Sequence, residues 1–345
     1  MIAIQASPRR ICRMAHIGLV AATLLVAGGL LQTASAADPA AHDDLRINQL
    51  QYVGTHNSYH LRDPKRKQQI RGSDYSHAPL DVQLDRGVRS FELDLHYRDG
   101  QFEVFHVPLV DEVSSCPTLD DALATIRAWS EEHPRHVPIS FLFELKREGP
   151  RIDKRIKAVD AAALDQLDAQ LRAGLGKGQI ITPDDVRGTA STLRDAVTSS
   201  GWPTLADARG KVLFVLHDNR QTRDLYTDGR PSLSGRVMFV RSDPARDDAA
   251  TLVLDNPTDP DIPRLAKEGY FIRTRADSGL RADPPQQPAR RAAAMGSGAH
   301  ILSTDFPTGE ADADTGYVVQ FDGAAPARVN PVNGPADVAG QTVTE

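Results

Sequence analysis

The sequence predicts an α/β fold, a (β/α) barrel of the TIM type in a single domain, and leaves open whether the barrel is regular. Short apolar runs of strand type alternate with helical patterns along most of the chain. The 345 residues suffice for one large barrel or for two domains. Because no break in composition interrupts the alternation, the sequence favours one domain.

Nine runs have the length and composition of strands. Val88–Leu95 alternates with a period of two residues, which places Glu92 and Asp94 on the same face. The pair Asp99-Gly100 that follows predicts a two-residue hairpin turn. The predicted strands are Gln49–Gly54, Val88–Leu95, Phe102–Val107, Ile139–Leu145, Val212–His217, Val237–Val240, Thr251–Leu254, Tyr270–Thr274 and His300–Ser303.

Helical spacing of apolar residues predicts a helix over Thr118–Glu132, where Thr118 and Asp121 form a capping-box pattern. A second helix is predicted over Asp153–Leu171. The chain after Phe321 is rich in Ala, Pro, Gly and Asn, which predicts an irregular tail over residues 322–345 that either covers the barrel or frays. The barrel domain is therefore expected to span residues 37–321.

Residues 1–36 have the pattern of a secretory signal peptide. Three arginines precede an uncharged apolar run over residues 17–31, and an Ala-Ser-Ala motif ends at Ala36, after which cleavage is predicted. The apolar run is too short for a comfortable transmembrane helix, and no later stretch reaches the roughly 18 apolar residues needed. We expect a secreted or periplasmic protein without a transmembrane segment in the mature chain, exported by either the general or the twin-arginine route.

Composition excludes some classes of function. The formal net charge is −6, and loss of a leader with three arginines and no acidic residue lowers it to −9. An acidic protein without a basic stripe is a poor candidate for nucleic-acid binding.

Cys12 lies in the leader and Cys116 stands alone in the rest of the chain, so the mature protein has no internal disulfide. We interpret Cys116 as a small buried residue rather than a nucleophile.

In a barrel the chemistry lies at the carboxyl ends of the strands. Polar residues stand at six such positions in this sequence, and the pair His217-Asp218 follows one of the strands without a predicted role. Each residue alone has an ordinary structural explanation, such as an ion pair or a hydrogen-bonded histidine, but their joint placement indicates a site. The candidates are His56, Asn57, Glu92, Asp94, His106, Glu144, Lys146, Arg273, Arg275 and Asp305.

An acidic pair on a core strand is costly to bury unless it binds something. At about 3.3 Å per residue, the Cα atoms of Glu92 and Asp94 lie roughly 6.6 Å apart, so both side chains can reach one ion. Asn57 and Glu144 extend the pair to a set of carboxylate and amide oxygens. Such hard donors suit Ca²⁺ or Mg²⁺, and the lack of a thiolate disfavours zinc.

Four segments, THNSYH, GVRSFELDLH, FEVFHVP and VPISFLFELK, together resemble the X region of the calcium-dependent phosphatidylinositol-specific phospholipases C, in particular the secreted bacterial branch. The resemblance is specific over Gln49–Lys146, and only FIRTRAD and ILSTDFP are similar afterwards. It implies a TIM barrel, Ca²⁺ as cofactor and a catalytic pair of histidines. The implied residues are Asn57, Glu92, Asp94 and Glu144 for Ca²⁺ and His56 and His106 for catalysis.

The implied reaction cleaves phosphatidylinositol-type phospholipids to diacylglycerol and a cyclic or open inositol phosphate. A ring hydroxyl attacks the phosphodiester, a cation neutralises phosphoryl charge, and two histidines transfer protons. We assign His106 as general acid and His56 as base or phosphoryl-stabilising partner, and the sequence does not decide between these roles. Glu92 or Glu144 is an alternative base.

Four further side chains receive roles from the chemistry of this reaction, and the core of the motif fixes none of them. Lys146, Arg273 and Arg275 are expected to contact the phosphate or the inositol ring. Asp305 is a candidate to orient His56.

Two other classes stay open. A glycerophosphodiester phosphodiesterase or a sphingomyelinase D-like enzyme shares the barrel, the E-x-D pair and the histidines, but the glycerophosphodiester enzymes follow the first histidine with arginine, where this chain has Asn57. A barrel that binds phosphoinositol groups without turnover is the second alternative. Identification of the reaction product distinguishes all three.

The expected partner is a phospholipid at a membrane surface, contacted peripherally and transiently, while the oligomeric state is left open. A basic loop between the first two strands is either solvated or contacts anionic headgroups, and two tyrosines beside it are candidates to insert at the interface. The loop residues are Arg62, Lys65, Arg66, Lys67 and Arg71, and the tyrosines are Tyr59 and Tyr75.

Overall fold

Eight parallel strands form a nearly closed barrel in the computed structural model, which describes residues 40–69, 72–147, 149–176, 178–199, 201–218, 220–278 and 287–345. The predicted leader and its cleavage site lie outside these residues. The strands are β1 (Leu50–Thr55), β2 (Ser90–Arg98), β3 (Gln101–Val104), β4 (Ile139–Leu145), β5 (Val212–Leu216), β6 (Phe239–Val240), β7 (Thr251–Val253), β8 (Phe271–Arg275), β9 (Ile301–Thr304), β10 (Ala327–Val329) and β11 (Thr342–Val343).

The barrel strands follow the order β6-β5-β4-β2-β1-β9-β8-β7. A single parallel bridge between Arg241 and Thr251 joins β6 to β7, and the Thr251 hydroxyl donates a hydrogen bond to the Val240 carbonyl at 2.7 Å. No helix lies in residues 241–250 between these strands, all of which are described. The predicted α/β barrel is therefore confirmed, and its irregularity lies at this seam.

Strand β2 carries the predicted acidic pair and is buried along nearly its whole length. It runs parallel to β1 and β4 and antiparallel to β3. Asp99 and Gly100 form the predicted hairpin turn with φ values of 51° and 85°, both positive as a type I′ turn requires. Because both faces of β2 are buried, each carboxylate on it needs a compensating charge or ligand.

The β1–β2 contact requires a glycine. Gly54 lies opposite Ser90 in the register, and a Cβ atom at Gly54 would come within 2.7 Å of the Ser90 Cβ. The residue type at this position lets β1 approach β2 closely, which brings the end of β1 beside Glu92.

The helices are α1 (Leu80–Asp85), α2 (Leu119–Glu132), α3 (Gly149–Ile152), α4 (Ala161–Leu175), α5 (Pro183–Arg187), α6 (Leu193–Thr198), α7 (Leu205–Ala208), α8 (Gln221–Thr227), α9 (Asp261–Lys267) and α10 (Gln287–Gly296). Helix α2 has the predicted capping box at Thr118.

The predicted helix over Asp153–Leu171 is wrong at its start. Asp160 accepts a hydrogen bond from the Ala163 N–H at 2.8 Å and begins α4 there, while Ile156 forms a bridge with Arg98. No described helix is long and apolar enough to cross a bilayer.

Residues 322–345 lie against the barrel. Strand β10 pairs antiparallel with the start of β1, and β11 pairs with β10. The Glu345 carboxylate accepts a hydrogen bond from the Arg89 Nε at 2.8 Å. The residues from Ala37 to Glu345 form one compact unit, in which the boundary between barrel and tail remains a prediction.

Candidate active site

The site begins where β1 ends in a sharp turn. Asn57 has a φ of 48°, in the left-handed region that asparagine tolerates better than most residues. The Ser58 N–H donates to the Glu92 carbonyl at 3.0 Å, and the Glu92 N–H donates to the Ser58 hydroxyl at 2.8 Å. These reciprocal hydrogen bonds hold His56 and Asn57 beside the acidic strand.

The register places two of the predicted metal ligands side by side. Asp94 on β2 pairs with Glu144 on β4. The Lys146 Nζ lies 3.0 Å from the Asp94 Oδ2 and 3.0 Å from the Glu144 Oε1. A single ammonium group therefore lies between two carboxylates that are expected to bind one metal ion.

Asp94 is short of positive charge. Its side chain is 0% exposed, and the Lys146 ammonium, 3.0 Å from its Oδ2, is the positive charge in contact with it among the described residues. Burial raises the pKa of Asp94 to about 6, and repulsion by Glu144 and Glu92 adds to the rise against the attraction of Lys146. A divalent ion would supply the missing positive charge.

Glu92 has a protein partner in the structure. Burial raises its pKa, but Arg273 and other nearby positive charges outweigh burial and lower it to about 2. The Arg273 Nη2 lies 2.7 Å from the Glu92 Oε2 and donates to the Ser303 hydroxyl at 3.1 Å. Arg273 also pairs with Asp255. The structure thus places Arg273 against a candidate metal ligand, and its contact with substrate remains a prediction.

The candidate ligands fit a hard divalent cation. The side-chain amide of Asn57 is buried and makes no hydrogen bond to a described residue. Together with the buried carboxylate of Asp94, which contacts the Lys146 ammonium, it places amide and carboxylate oxygens beside the end of β1. Ca²⁺ takes oxygen ligands of these types in flexible geometry, so the residues present fit this ion. Their assignment as ligands remains a prediction.

His56 lies against a buried aspartate. Its Nδ1 is 2.8 Å from the Asp305 Oδ1, which leaves Nε2 for other contacts. Burial and Arg275 lower the pKa of His56, but Asp305 and Glu92 outweigh them, so that the pKa is raised overall. Arg275 donates to the second oxygen of Asp305 at 3.1 Å and to Asp277 at 3.2 Å. Asp305 therefore joins His56 to Arg275.

His106 has an equivalent partner that sequence reasoning missed. Its Nδ1 lies 2.9 Å from the Asp111 Oδ2. The same oxygen lies 3.1 Å from the His60 Nε2 and accepts a hydrogen bond from the Ser73 hydroxyl at 2.7 Å. Burial raises the pKa of Asp111, but the hydrogen bonds of His106 and His60 hold it well below its usual range. His60, His106 and Asp111 also lie close enough to hold a metal ion, but their mutual hydrogen bonds account for the arrangement.

The two candidate catalytic histidines lie on the same rim of the barrel. The His60 N–H donates to the Asn57 carbonyl at 2.9 Å, which fixes His60 to the β1 turn that carries His56. The rings of His60 and His106 are 6.1 Å apart and meet edge to face. His106 is therefore connected to the β1 turn through His60.

His217 adds a polar residue at the end of β5 to those already described on β1, β2 and β4. Its N–H donates to the Phe143 carbonyl at 2.8 Å, which places it beside Glu144. Burial lowers the pKa of His217, while Glu92 raises it and Arg273 lowers it. Its Nδ1 is buried without a hydrogen-bond partner among the described residues.

The fold and the site define a TIM-barrel enzyme with two histidine–aspartate pairs and a set of hard oxygen donors at the carboxyl ends of its strands. The family model described as phosphoinositide phospholipase C, Ca²⁺-dependent, matches residues 45–103 and 96–331. The chain therefore belongs to the Ca²⁺-dependent phosphoinositide phospholipase C family, which confirms the resemblance seen in the sequence. It is a phosphoric diester hydrolase of the phosphatidylinositol-specific phospholipase C type, with Ca²⁺ as its cofactor.

Solved structures share the fold. A Ca²⁺-dependent phosphatidylinositol-specific phospholipase C from Streptomyces antibioticus has 21% sequence identity and a TM-score of 0.59, over 76% of this chain and 95% of that chain. A calcium-dependent phosphoinositol-specific phospholipase C from a Gram-negative Pseudomonas species, in its apo form with myo-inositol, has 20% identity and a TM-score of 0.55, over 77% and 92% of the two chains. No curated protein sequence matches the chain.

Proposed function

We propose that the protein is a secreted phosphodiesterase that cleaves phosphatidylinositol-type phospholipids to diacylglycerol and inositol phosphate, cyclic or open. The observation that carries this proposal is the pairing of both candidate histidines with buried aspartates at one end of the barrel. His56 lies 2.8 Å from Asp305 and His106 lies 2.9 Å from Asp111. Two proton-transfer groups beside a set of oxygen ligands are what attack by a ring hydroxyl on a phosphodiester requires.

The oxygen ligands are assigned to Ca²⁺. Bound there, Ca²⁺ would neutralise phosphoryl charge and lower the pKa of the attacking hydroxyl. Lys146 has an exposed fraction of 21% and reaches Asp94 and Glu144, so its ammonium group can turn from the carboxylates to the phosphate or the inositol ring. The proposed ligands are Asn57, Glu92, Asp94 and Glu144.

We assign the two proton transfers of the reaction to the candidate histidines. His106 donates a proton to the diacylglycerol oxygen as it leaves, and Asp111 fixes the ring so that Nε2 faces the substrate. His56 accepts the proton of the ring hydroxyl or stabilises the phosphoryl oxygens, oriented by Asp305. A pKa of about 2 makes Glu92 a poor base near neutral pH, which leaves Glu144 as the alternative.

We also propose that the rim of the site contacts a phospholipid surface. The large hydrophobic side chains that are exposed among the described residues are Leu109, at 57%, and Ile152, at 45%. Leu109 follows the β2–β3 hairpin and Ile152 follows β4, and the Arg66 Nη2 donates to the Leu109 carbonyl at 3.4 Å. Apolar side chains beside cations suit an anionic membrane surface.

Part of the predicted membrane contact is wrong. Tyr59 and Tyr75 are buried, so they cannot insert at an interface. Tyr59 lies near Asp94, and burial followed by this negative charge raises its pKa well above the usual value. Lys65 and Lys67 are exposed, while Arg71 lies outside the described residues.

The test is incubation of the purified protein with phosphatidylinositol vesicles, with and without Ca²⁺, and identification of the water-soluble product. We expect inositol phosphate and diacylglycerol only when Ca²⁺ is present. Release of glycerol phosphate from a glycerophosphodiester, or of a free head alcohol, would favour the phosphodiesterase alternative. Binding of inositol phosphate without turnover would favour the non-catalytic barrel.

A further inference from the structure

A set of metal-ligating side chains lies apart from the candidate Ca²⁺ ligands. His60, His106 and Asp111 each offer one ligand atom, and the three atoms lie within 4.8 Å of one another. The Asp111 Oδ2 is 2.9 Å from the His106 Nδ1 and 3.1 Å from the His60 Nε2. In a tetrahedral zinc site, bonds of about 2.0–2.2 Å separate neighbouring ligand atoms by roughly 3.3–3.6 Å. Both contacts of Asp111 are therefore close to the separation that one bound ion requires.

The backbone orients His60 as metal-binding histidines are oriented. Its Nδ1 lies 3.2 Å from the Tyr75 carbonyl, which can only accept, so Nδ1 carries the hydrogen. Metal-bound histidines almost always donate the other ring N–H to a carbonyl, a carboxylate or water in this way. The His60 ring also stacks on Tyr75, with the ring centroids 4.3 Å apart. The Nε2 of His60 is therefore fixed toward Asp111.

The contact between His60 and Asp111 admits a metal ion. A carboxylate cannot donate to Nε2, so the contact is satisfied either by a hydrogen on Nε2 or by a cation that both groups bind. The same holds for the Nδ1 of His106, which lies against the same oxygen. Hydrogen bonds hold the three side chains together in the structure, and a metal ion would replace the hydrogens on the same ring atoms.

The ligand types separate this cluster from the candidate Ca²⁺ site. Two imidazole nitrogens and one carboxylate oxygen suit Zn²⁺, whose fourth position can take water. Ca²⁺ instead takes about six to eight oxygen ligands. His60 and Asp111 are buried, whereas the His106 side chain is 34% exposed. An ion can therefore reach the cluster from the rim of the barrel.

We propose that His60, His106 and Asp111 form an inhibitory site for Zn²⁺, separate from the site of the catalytic Ca²⁺. The ion takes the lone pair of the His106 Nδ1, the hydrogen of that nitrogen passes to water as a proton, and Asp111 ligates the ion instead of accepting from His106. The ring is then a neutral imidazole with its remaining hydrogen on Nε2. A neutral imidazole is a much weaker acid than the imidazolium that a general acid requires.

The metal site and the inhibition depend on different premises. Zinc binding follows from the three side chains alone, while the loss of turnover rests on the proposed role of His106 as general acid. Binding and turnover are therefore measured separately.

Calorimetry is the first test, and it requires no turnover. The protein is titrated with ZnCl₂ in saturating Ca²⁺. We expect a single zinc ion to bind per chain and His60→Gln to weaken the affinity at least about tenfold, since loss of an outer partner of a ligand already costs roughly 10–100-fold. His133→Gln is the matched control and keeps the affinity, because His133 is an exposed histidine whose Nδ1 also contacts a backbone carbonyl. No binding to the wild type, or equal binding to His60→Gln, overturns the proposal.

A second variant covers the case in which His60→Gln does not fold, because His60 is buried. His106→Gln changes the partly exposed ligand, and we expect the same loss of zinc affinity of at least about tenfold. Titration with CaCl₂ shows that the variant is folded if its affinity for Ca²⁺ equals that of the wild type. Unchanged zinc affinity in the folded His106→Gln variant also overturns the proposal.

Inhibition is the second test. Initial rates on phosphatidylinositol vesicles are measured with rising ZnCl₂ at two concentrations of Ca²⁺, both above the one that gives full activity. We expect Zn²⁺ to inhibit the wild type, excess Ca²⁺ not to relieve the inhibition, and the half-inhibitory concentration to rise at least about tenfold in His60→Gln, relative to its own rate without zinc. Relief by Ca²⁺ would assign the inhibition to the Ca²⁺ ligands and overturn the proposal. If no lipid is cleaved at all, the proposed function fails, while zinc binding that is lost in both histidine variants still supports the metal site.

Discussion

The ammonium group of Lys146 lies 3.0 Å from the carboxylate of Asp94, in a protein whose family depends on Ca²⁺. Asp94 is a predicted Ca²⁺ ligand, so a side chain of the protein lies where the metal ion is expected. Two positive charges cannot share the same carboxylate oxygens at contact distance without strong repulsion. Binding of Ca²⁺ therefore requires Lys146 to move away from Asp94.

This competition predicts the effect of Lys146→Met. Removal of the ammonium leaves Asp94 and Glu144 uncompensated, so we expect the affinity for Ca²⁺ to rise about tenfold, which corresponds to about 1.4 kcal/mol. Titration calorimetry with CaCl₂ measures the change. Lys157→Met is the control, because the Lys157 Nζ donates a hydrogen bond to the Lys154 backbone carbonyl in an exposed segment, away from Asp94 and Glu144. An unchanged or weaker affinity in Lys146→Met would show that the metal ion lies elsewhere.

The pKa of Asp94 predicts how pH affects the metal-free protein. The ordinary value of 3.8 is raised to about 6 by burial first and by the neighbouring acids next. The native state therefore binds a proton that the unfolded state has already lost, and the contribution of Asp94 to stability falls as the pH rises from about 4 to about 6. Above that range Asp94 is ionised and destabilises the protein until Ca²⁺ binds.

The Asp94→Asn variant tests whether the ionised Asp94 carboxylate destabilises the metal-free protein. At pH 7 and without Ca²⁺ we expect the variant to be more stable than the wild type, by on the order of 2–3 kcal/mol, because the buried charge is gone. Ca²⁺ should raise the Tm of the wild type and leave that of the variant unchanged. Thermal unfolding in excess chelator and in excess Ca²⁺ measures both effects. A variant that is less stable than the wild type in chelator contradicts the charge argument.

The strand pattern was readable because the buried strands are short apolar runs that alternate with helical patterns along the chain. All nine predicted strands are present, and the Asp99-Gly100 turn was predictable from two residue types that tolerate positive φ. The helix over Asp153–Leu171 was misjudged because the capping residue is Asp160 and the preceding segment pairs with β2. Apolar spacing alone does not show where a capping side chain begins the helix.

Only one of the two aspartates that pair with the candidate histidines could be predicted from the sequence. Asp305 follows a strand and could be named from its position. Asp111 lies in an irregular segment, and only the turn from Val107 to Asp111 brings it to His106. His60 stands in the motif THNSYH, but its contact with Asp111 depends on how two loops meet. No sequence period encodes such a meeting. The signal that could have identified Asp111 is the presence of an acidic residue five positions after His106.

The His106–Asp111 pair predicts a loss of turnover without a loss of metal binding. We expect His106→Ala to reduce kcat at least about 10²-fold, as for removal of a general acid, and Asp111→Asn to reduce it in the same direction by a smaller factor. The affinity for Ca²⁺ and the KM should stay within about twofold of the wild type for His106→Ala, since the histidine is not a ligand. Ser73→Ala removes one donor to Asp111 and keeps the His106 contact, so it is the control. Unchanged turnover in His106→Ala removes this residue from the mechanism.

The His56–Asp305 pair predicts opposite pH shifts for two variants. Burial and Arg275 lower the pKa of His56, and Asp305 raises it. Asp305→Asn should therefore move the His56 limb of the pH profile of kcat/KM to lower pH, and Arg275→Gln should move it to higher pH. The profiles are measured at saturating Ca²⁺. Shifts in the same direction would show that the limb belongs to another group.

Leu109 predicts how the rim contacts lipid. Its side chain is 57% exposed at a φ of 63°, a left-handed conformation that a leucine rarely adopts. Insertion of a leucine into a bilayer contributes about 1.5–3 kcal/mol, so we expect Leu109→Ser to weaken binding to phosphatidylinositol-containing vesicles by at least about tenfold. Hydrolysis of a monomeric short-chain substrate should be unchanged, because Leu109 is not a proposed catalytic residue. Sedimentation with vesicles measures the binding. Equal loss on vesicles and on the soluble substrate would indicate damage to the site, and equal vesicle binding by both proteins would place the membrane contact on another surface.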